Sequence, residues 1–118
     1  MIKAVAFVAI AVTDQERARK FYQETLGLKP ALTAMEGAWV EYEIGAVTLG
    51  VGCHPAWKPS RDGTSVAFEV DDIDGAIAKL KNEGVEFEMD KFETPVCFMA
   101  VFHDPDGNRL LVHKRKEK

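Results

Sequence analysis

The residues of this sequence that could do chemistry are few. His54, His103, His113, Cys53 and Cys97 are its only imidazoles and thiols, and Glu41, Glu43 and Glu69 are carboxylates within strand-like runs. Such groups hold a divalent ion only where several donors converge. They move protons where a carboxylate and an imidazole meet. Cys53 and His54 are neighbours and would point to opposite faces of an extended strand. His103 precedes a turn and is expected in solvent. His113 lies on the same strand face as Leu111, and a Glu–His113 arrangement is the one route to acid–base chemistry without a metal. A strand carboxylate commonly marks an exposed edge, so Glu41, Glu43 and Glu69 are not expected to act as catalysts. The two cysteines lack CxxC spacing and sit in apolar runs, where a free thiol packs as a small hydrophobe.

The elements that must position these groups repeat. Phe7-Val-Ala-Ile-Ala-Val-Thr-Asp14 lies over Ser65-Val-Ala-Phe-Glu-Val-Asp-Asp72, with Val8/Val66, Ala9/Ala67, Val12/Val70 and Asp14/Asp72 identical. Each copy is an alternating strand ending at an Asp suited to cap a helix. After Asp14, Ala18, Phe21, Tyr22 and Leu26 form an apolar stripe that stops at Gly27; after Asp72, Ile73, Ala76, Ile77 and Leu80 do the same before Gly84. Three strand-like runs follow each helix: Leu28–Met35, Trp39–Ile44 and Val47–Val51, then Val85–Met89, Val96–His103 and Arg109–His113. Both halves read β-α-β-β-β. The predicted organisation is one α+β domain over residues 1–118, with a module at 1–53, a Pro-rich linker at 54–63 and a second module at 64–118. Asp104-Pro-Asp-Gly-Asn108 is a hairpin turn, with positive φ expected at Gly-Asn.

Strand alternation sorts the side chains. Val8, Ile10 and Val12, like Val66, Phe68 and Val70, should pack beneath a helix. The smaller set (Phe7, Ala9, Ala11 and Ser65, Ala67, Glu69) leaves room for a cavity on the other face. Periodicity leaves open whether Phe98, Ala100 and Phe102 or Cys97, Met99 and Val101 look into it.

The chain has 118 residues and a net charge of −4, which suits one domain and offers no broad basic face for nucleic acid. The Lys114–Lys116 cluster reads as a solvated end. No apolar run is long enough to span a membrane, and the start lacks the marks of a signal peptide. The expectation is a soluble cytoplasmic protein that touches neither nucleic acid nor membrane.

These residues resemble the vicinal oxygen chelate superfamily of glyoxalases, bleomycin-resistance proteins and extradiol dioxygenases. The resemblance rests on Phe7–Asp14 leading into Phe21-Tyr22 and Leu26-Gly27-Leu28, then on Val66–Asp72 and Asp104–Asn108. It implies two βαβββ modules in tandem, their mixed sheets curled around a cleft, and a homodimer that in many members exchanges modules. It also implies where metal-dependent members place their ligands. Those positions fall on Phe7 and Ser65 in the first strands, and on Gly50 (or Thr48) and Leu111 in the last. None is a good metal ligand, so no metal and no cofactor are expected.

What remains is a cleft for an apolar ligand, with Phe7, Trp39, Trp57, Met99 and Leu111 as candidate walls and Thr48, Ser65, Glu69 and His113 as polar contacts. Trp57, on the linker, needs a cover, either a partner subunit or a ligand. The leading expectation is a metal-free binder of a small aromatic or planar molecule. The alternatives are a lyase or dioxygenase with a rearranged metal site, and a non-catalytic module whose cleft its own side chains fill.

Overall fold

A computed structural model describes residues 1–117, which divide into two compact units, Met1–Pro59 and the part from Ser60 onward. In the first unit, strand β1 (Val8–Ala11) leads into helix α1 (Gln15–Arg19). Strands β2 (Pro30–Ala34), β3 (Trp39–Ile44) and β4 (Val47–Gly52) follow. In the second unit, β5 (Val66–Glu69) precedes helix α2 (Ile73–Asn82), then β6 (Phe87–Glu93), β7 (Cys97–His103) and β8 (Arg109–Arg115). The sheets have matching orders, β1-β4-β3-β2 and β5-β8-β7-β6. In each, the first strand runs parallel to the last, which completes the βαβββ repeat.

The helices start where an Asp can satisfy their free N–H groups. The Asp14 carboxylate accepts from the Arg17 N–H at 3.1 Å, and Asp72 accepts from Gly75 at 3.0 Å. The first helix then departs from the expected 3.6-residue period. Lys20–Thr25 winds as a π-helix, closed by Leu26 N–H to the Phe21 carbonyl at 2.9 Å. A wider turn carries more residues per revolution, a change that apolar spacing alone does not disclose. It still buries Ala18, Phe21 and Tyr22. Gly27 ends the helix at φ +74°, a conformation that a side chain would resist.

Each helix covers one face of its own sheet. In the first unit, Ile10, Val12, Val40, Tyr42, Leu49 and Val51 are buried with the α1 stripe, and the rings of Tyr22 and Tyr42 lie 6.2 Å apart. The Tyr42 hydroxyl accepts from Gln23 Nε2 at 3.1 Å, and burial raises its pKa despite that bond. In the second unit, Ile73, Ile77 and Leu80 of α2 are buried, as are Ala100, Phe102, Leu110 and Val112. Each such aliphatic or aromatic side chain removed from water contributes about 1.5–3 kcal/mol.

Several boundaries move from their expected places. Strand β2 starts at Pro30 and stops at Ala34, because Met35 and Glu36 take left-handed backbone, φ 53° and 56°, in the turn to β3. Strand β6 starts two residues late and runs on to Glu93, and β8 continues to Arg115, where Cys97 pairs with it. In the turn after β7, only Gly107 has positive φ. Asn108 instead ties the turn together, donating from Nδ2 to the Asp104 carboxylate at 2.8 Å and accepting from the Ser60 N–H at 3.1 Å. Among the described residues, no helix is long and apolar enough to cross a membrane.

Candidate functional site

The first unit's sheet face away from α1 is built from the alternate residues of its strands. Antiparallel pairing sets Trp39 opposite Gly52, Glu41 opposite Gly50 and Glu43 opposite Thr48. Parallel pairing sets Ala9 beside Gly50 and Ala11 beside Gly52. The centre of this face is therefore bare backbone, and tryptophan covers it. A Cβ on Gly50 would stand 2.3 Å from the six-membered ring of Trp39, and one on Gly52 would stand 2.5 Å from Trp57. The two indoles lie nearly parallel, 26° apart with ring centroids at 6.2 Å, and Phe7 meets Trp39 edge-on at 5.2 Å. Both tryptophans are half-buried, and Phe7 stays 47% exposed.

Polar groups fix this platform at its edge. Trp39 Nε1 donates to Glu41 Oε2 at 2.8 Å, which holds the indole flat along its strand. Thr48 donates to the Glu43 carboxylate at 2.9 Å, so its hydroxyl serves the sheet edge. Trp57 is half-buried, set against Trp39 and Gly52, with its backbone N–H donating to the His54 carbonyl at 2.9 Å.

The second unit's open face comes from the same alternation. Ala67 lies beside Leu111, and Glu69 beside His113, on β5 and β8. Across β8 and β7, Leu111 faces Val101, and His113 faces Met99. The open question about β7 is thereby answered: Met99 and Val101 share the face of His113, while Ala100 and Phe102 pair with Val112 and Leu110 of the buried set. His113 Nδ1 lies 2.5 Å from Glu69 Oε1, and Glu69 Oε2 accepts from the Arg115 N–H at 2.9 Å. The Arg115 N–H, then the His113 bond, hold the Glu69 carboxyl below its usual range. Ser65 stands half-buried just before β5.

His103 is a correction. The turn beside it does not leave it in solvent; it is 6% exposed, with Nε2 2.8 Å from Glu88 Oε1. Among the described residues its Nδ1 is buried without a hydrogen-bond partner, 3.6 Å from Glu86. Arg109 donates to the same Glu88 at 3.0 Å. Glu88 of β6 and Glu86 just before that strand stand alongside His103, a cross-strand relation that local pattern did not reveal.

The positions where the superfamily's metal-dependent members carry ligands do not fit a metal here. Trp39 lies on the backbone of Gly50, Phe7 packs against that indole, and Leu111 has no donor atom. Among the described residues, no three His, Cys, Asp or Glu side chains converge to hold an ion.

A family model for the Glyoxalase/Bleomycin resistance protein/Dioxygenase superfamily matches residues 4–112. The chain belongs to that superfamily. It is 31% identical to the uncharacterised protein YetH of Bacillus subtilis (strain 168), covering 95% of this chain and 98% of YetH. It is 30% identical to the anthracycline biosynthesis protein DauV of Streptomyces sp. (strain C5), over 97% of this chain but 42% of DauV. Among solved structures, TnmS3, an antibiotic binding protein from Streptomyces sp. CB03234, superposes with a TM-score of 0.78 at 26% identity, covering 98% of both chains.

Proposed function

We propose that this protein binds a planar aromatic small molecule on the Phe7–Trp39–Trp57 face of its first unit, with no metal in the binding step. The observation that carries this reading is the pair of near-parallel indoles laid on Gly50 and Gly52. Two half-buried indoles offer flat apolar area whose exposure costs free energy until a ring covers it. Glu41 keeps Trp39 in place, so a ligand would meet a preformed surface and lose less on ordering it. The likeness to an antibiotic binding protein and to an anthracycline biosynthesis protein supports the ligand class.

Titration of the protein with an anthracycline, read by tryptophan fluorescence, tests it. The expected result is quenching that saturates at about one ligand per chain and does not change with chelator. Trp57→Ala, which leaves the strands untouched, should weaken binding about tenfold, the equivalent of roughly one stacked ring. Unsaturable quenching, or equal affinity in Trp57→Ala, would sink the reading.

A further inference from the structure

The open face of the second unit carries an arrangement that the aromatic platform does not use. We propose that Glu69 and His113 form a separate proton-accepting site that binds acidic phenols, with the ring on the apolar floor beside them and the hydroxyl on His113 Nε2.

The register builds the site. Glu69 on β5 and His113 on β8 are direct neighbours, and His113 has Met99 of β7 on its other side. One step along the strands, Ala67, Leu111 and Val101 continue the row in the same order. Ala67 is small and exposed, so the floor of Leu111 and Met99 is not overhung from β5.

The two carboxylate oxygens of Glu69 have different partners. Oε2 is anchored by the backbone N–H of Arg115, and Oε1 meets His113 Nδ1. A side chain fixed at one oxygen cannot swing away from the imidazole, although Glu69 is largely exposed. Held ionised by the Arg115 N–H and His113, the carboxylate can only accept. Nδ1 must therefore carry the hydrogen, which leaves the lone pair of the neutral ring on Nε2. Among the described residues, Nε2 of His113 has no hydrogen-bond partner. This is a carboxylate that sets an imidazole's tautomer and would stabilise the imidazolium formed when it takes a proton.

The charged groups around the pair belong to β5 and β8: Glu69 itself, with Lys114 as its cationic neighbour, while Arg115 acts on it through its backbone N–H. From β7 the facing residue is Met99, which does not titrate. When a phenol docks, its O–H bond breaks toward Nε2, a new N–H bond forms there, and the electron pair stays on the phenolate oxygen. The products are a phenolate beside an imidazolium whose charge Glu69 balances. An aromatic ring suits the apolar floor, and an acidic hydroxyl gives up its proton to a neutral nitrogen base most readily.

The test uses p-nitrophenol, colourless as the phenol and yellow as the phenolate, in neutral buffer, where the free probe is part phenol and part phenolate and an ordinary imidazole is mostly neutral. Adding the intact protein should raise the yellow band, saturating at about one probe per chain. In protein labelled with 15N in its imidazoles, His113 should be the Nδ1–H tautomer when free and gain a proton on Nε2 as the probe binds. Glu69→Gln should lower the bound phenolate about tenfold with the circular dichroism unchanged, on the scale of one charge-assisted hydrogen bond. His113→Gln should abolish it. Trp57→Ala should leave the yellow band as in the unaltered protein, which separates this site from the platform. An Nε2–H tautomer in the free protein would overturn the proposal. So would an equal phenolate band in Glu69→Gln, or loss of the band in Trp57→Ala.

Discussion

The six-membered ring of Trp39 lies against Gly50, so close that a Cβ on the glycine would stand 2.3 Å from two carbons of the indole. The contact links strands β3 and β4 across two residues of stagger, since Trp39 pairs with Gly52 while Glu41 pairs with Gly50. It also puts ring carbon at Gly50, which with Thr48 is one of the two positions in β4 where the superfamily resemblance puts a ligand. Gly50→Ala should therefore push the indole off the sheet and break its bond to Glu41. Overpacking of this kind costs about 1–3 kcal/mol. Thermal melts should show the loss, and a red shift of tryptophan emission should show the ring moving into water. An unshifted spectrum with unchanged stability would mean that Trp39 does not rest on Gly50.

Much of the fold was legible because its signals are local. Asp14 and Asp72 cap helices in the way their position before an apolar stripe implied, and strand alternation put Ile10 and Val12 on the covered face. The π-helical turn at Lys20–Thr25 was not legible, since Phe21 and Tyr22 are buried in either winding. The site was visible in part. Phe7, Trp39 and Trp57 could be named as aromatic candidates. Their stacking over Gly50 and Gly52 depends on cross-strand register, which hairpin and parallel pairing decide together. His103 shows the same limit, because its place beside Glu88 of β6 and Glu86 just before that strand is set by cross-strand pairing.

Acid should weaken the protein in a way that particular carboxylates explain. Glu88 is held below its usual range, first by its hydrogen bond to His103 and then by Arg109; Glu69 is held low by the Arg115 N–H and His113. A carboxyl whose folded pKa is depressed adds stability above its unfolded value, about 4.3, and that stability is lost as pH falls through the folded value. Melting temperature should thus fall as pH drops through and below the ordinary glutamate range. Glu88→Gln keeps an oxygen facing His103 but cannot titrate, so its melting temperature should fall less steeply over the same window. Parallel curves for the two proteins would show that Glu88 contributes nothing to the acid limb.

The turn between β7 and β8 concentrates its hydrogen bonds on one buried carboxylate. Asp104 Oδ1 accepts from the N–H groups of Asp106 and Asn108, both at 2.9 Å, and Oδ2 accepts from Asn108 Nδ2 at 2.8 Å. Asn108 is itself buried, and its side-chain oxygen receives the Ser60 N–H. Asp104→Ala would leave these donors in a place that water reaches poorly, and a buried donor without a partner costs about 1–3 kcal/mol. The expected loss is about 2–4 kcal/mol by chemical denaturation, since several donors are released at once. Asp104→Asn should lose less, because its side-chain oxygen can still accept from two of the three. Hydrogen exchange locates the effect: the amides of Asp106 and Asn108 should exchange faster in Asp104→Ala at conditions where the α2 amides do not. If those two amides keep their protection in Asp104→Ala, the turn is held by its backbone and Gly107 alone.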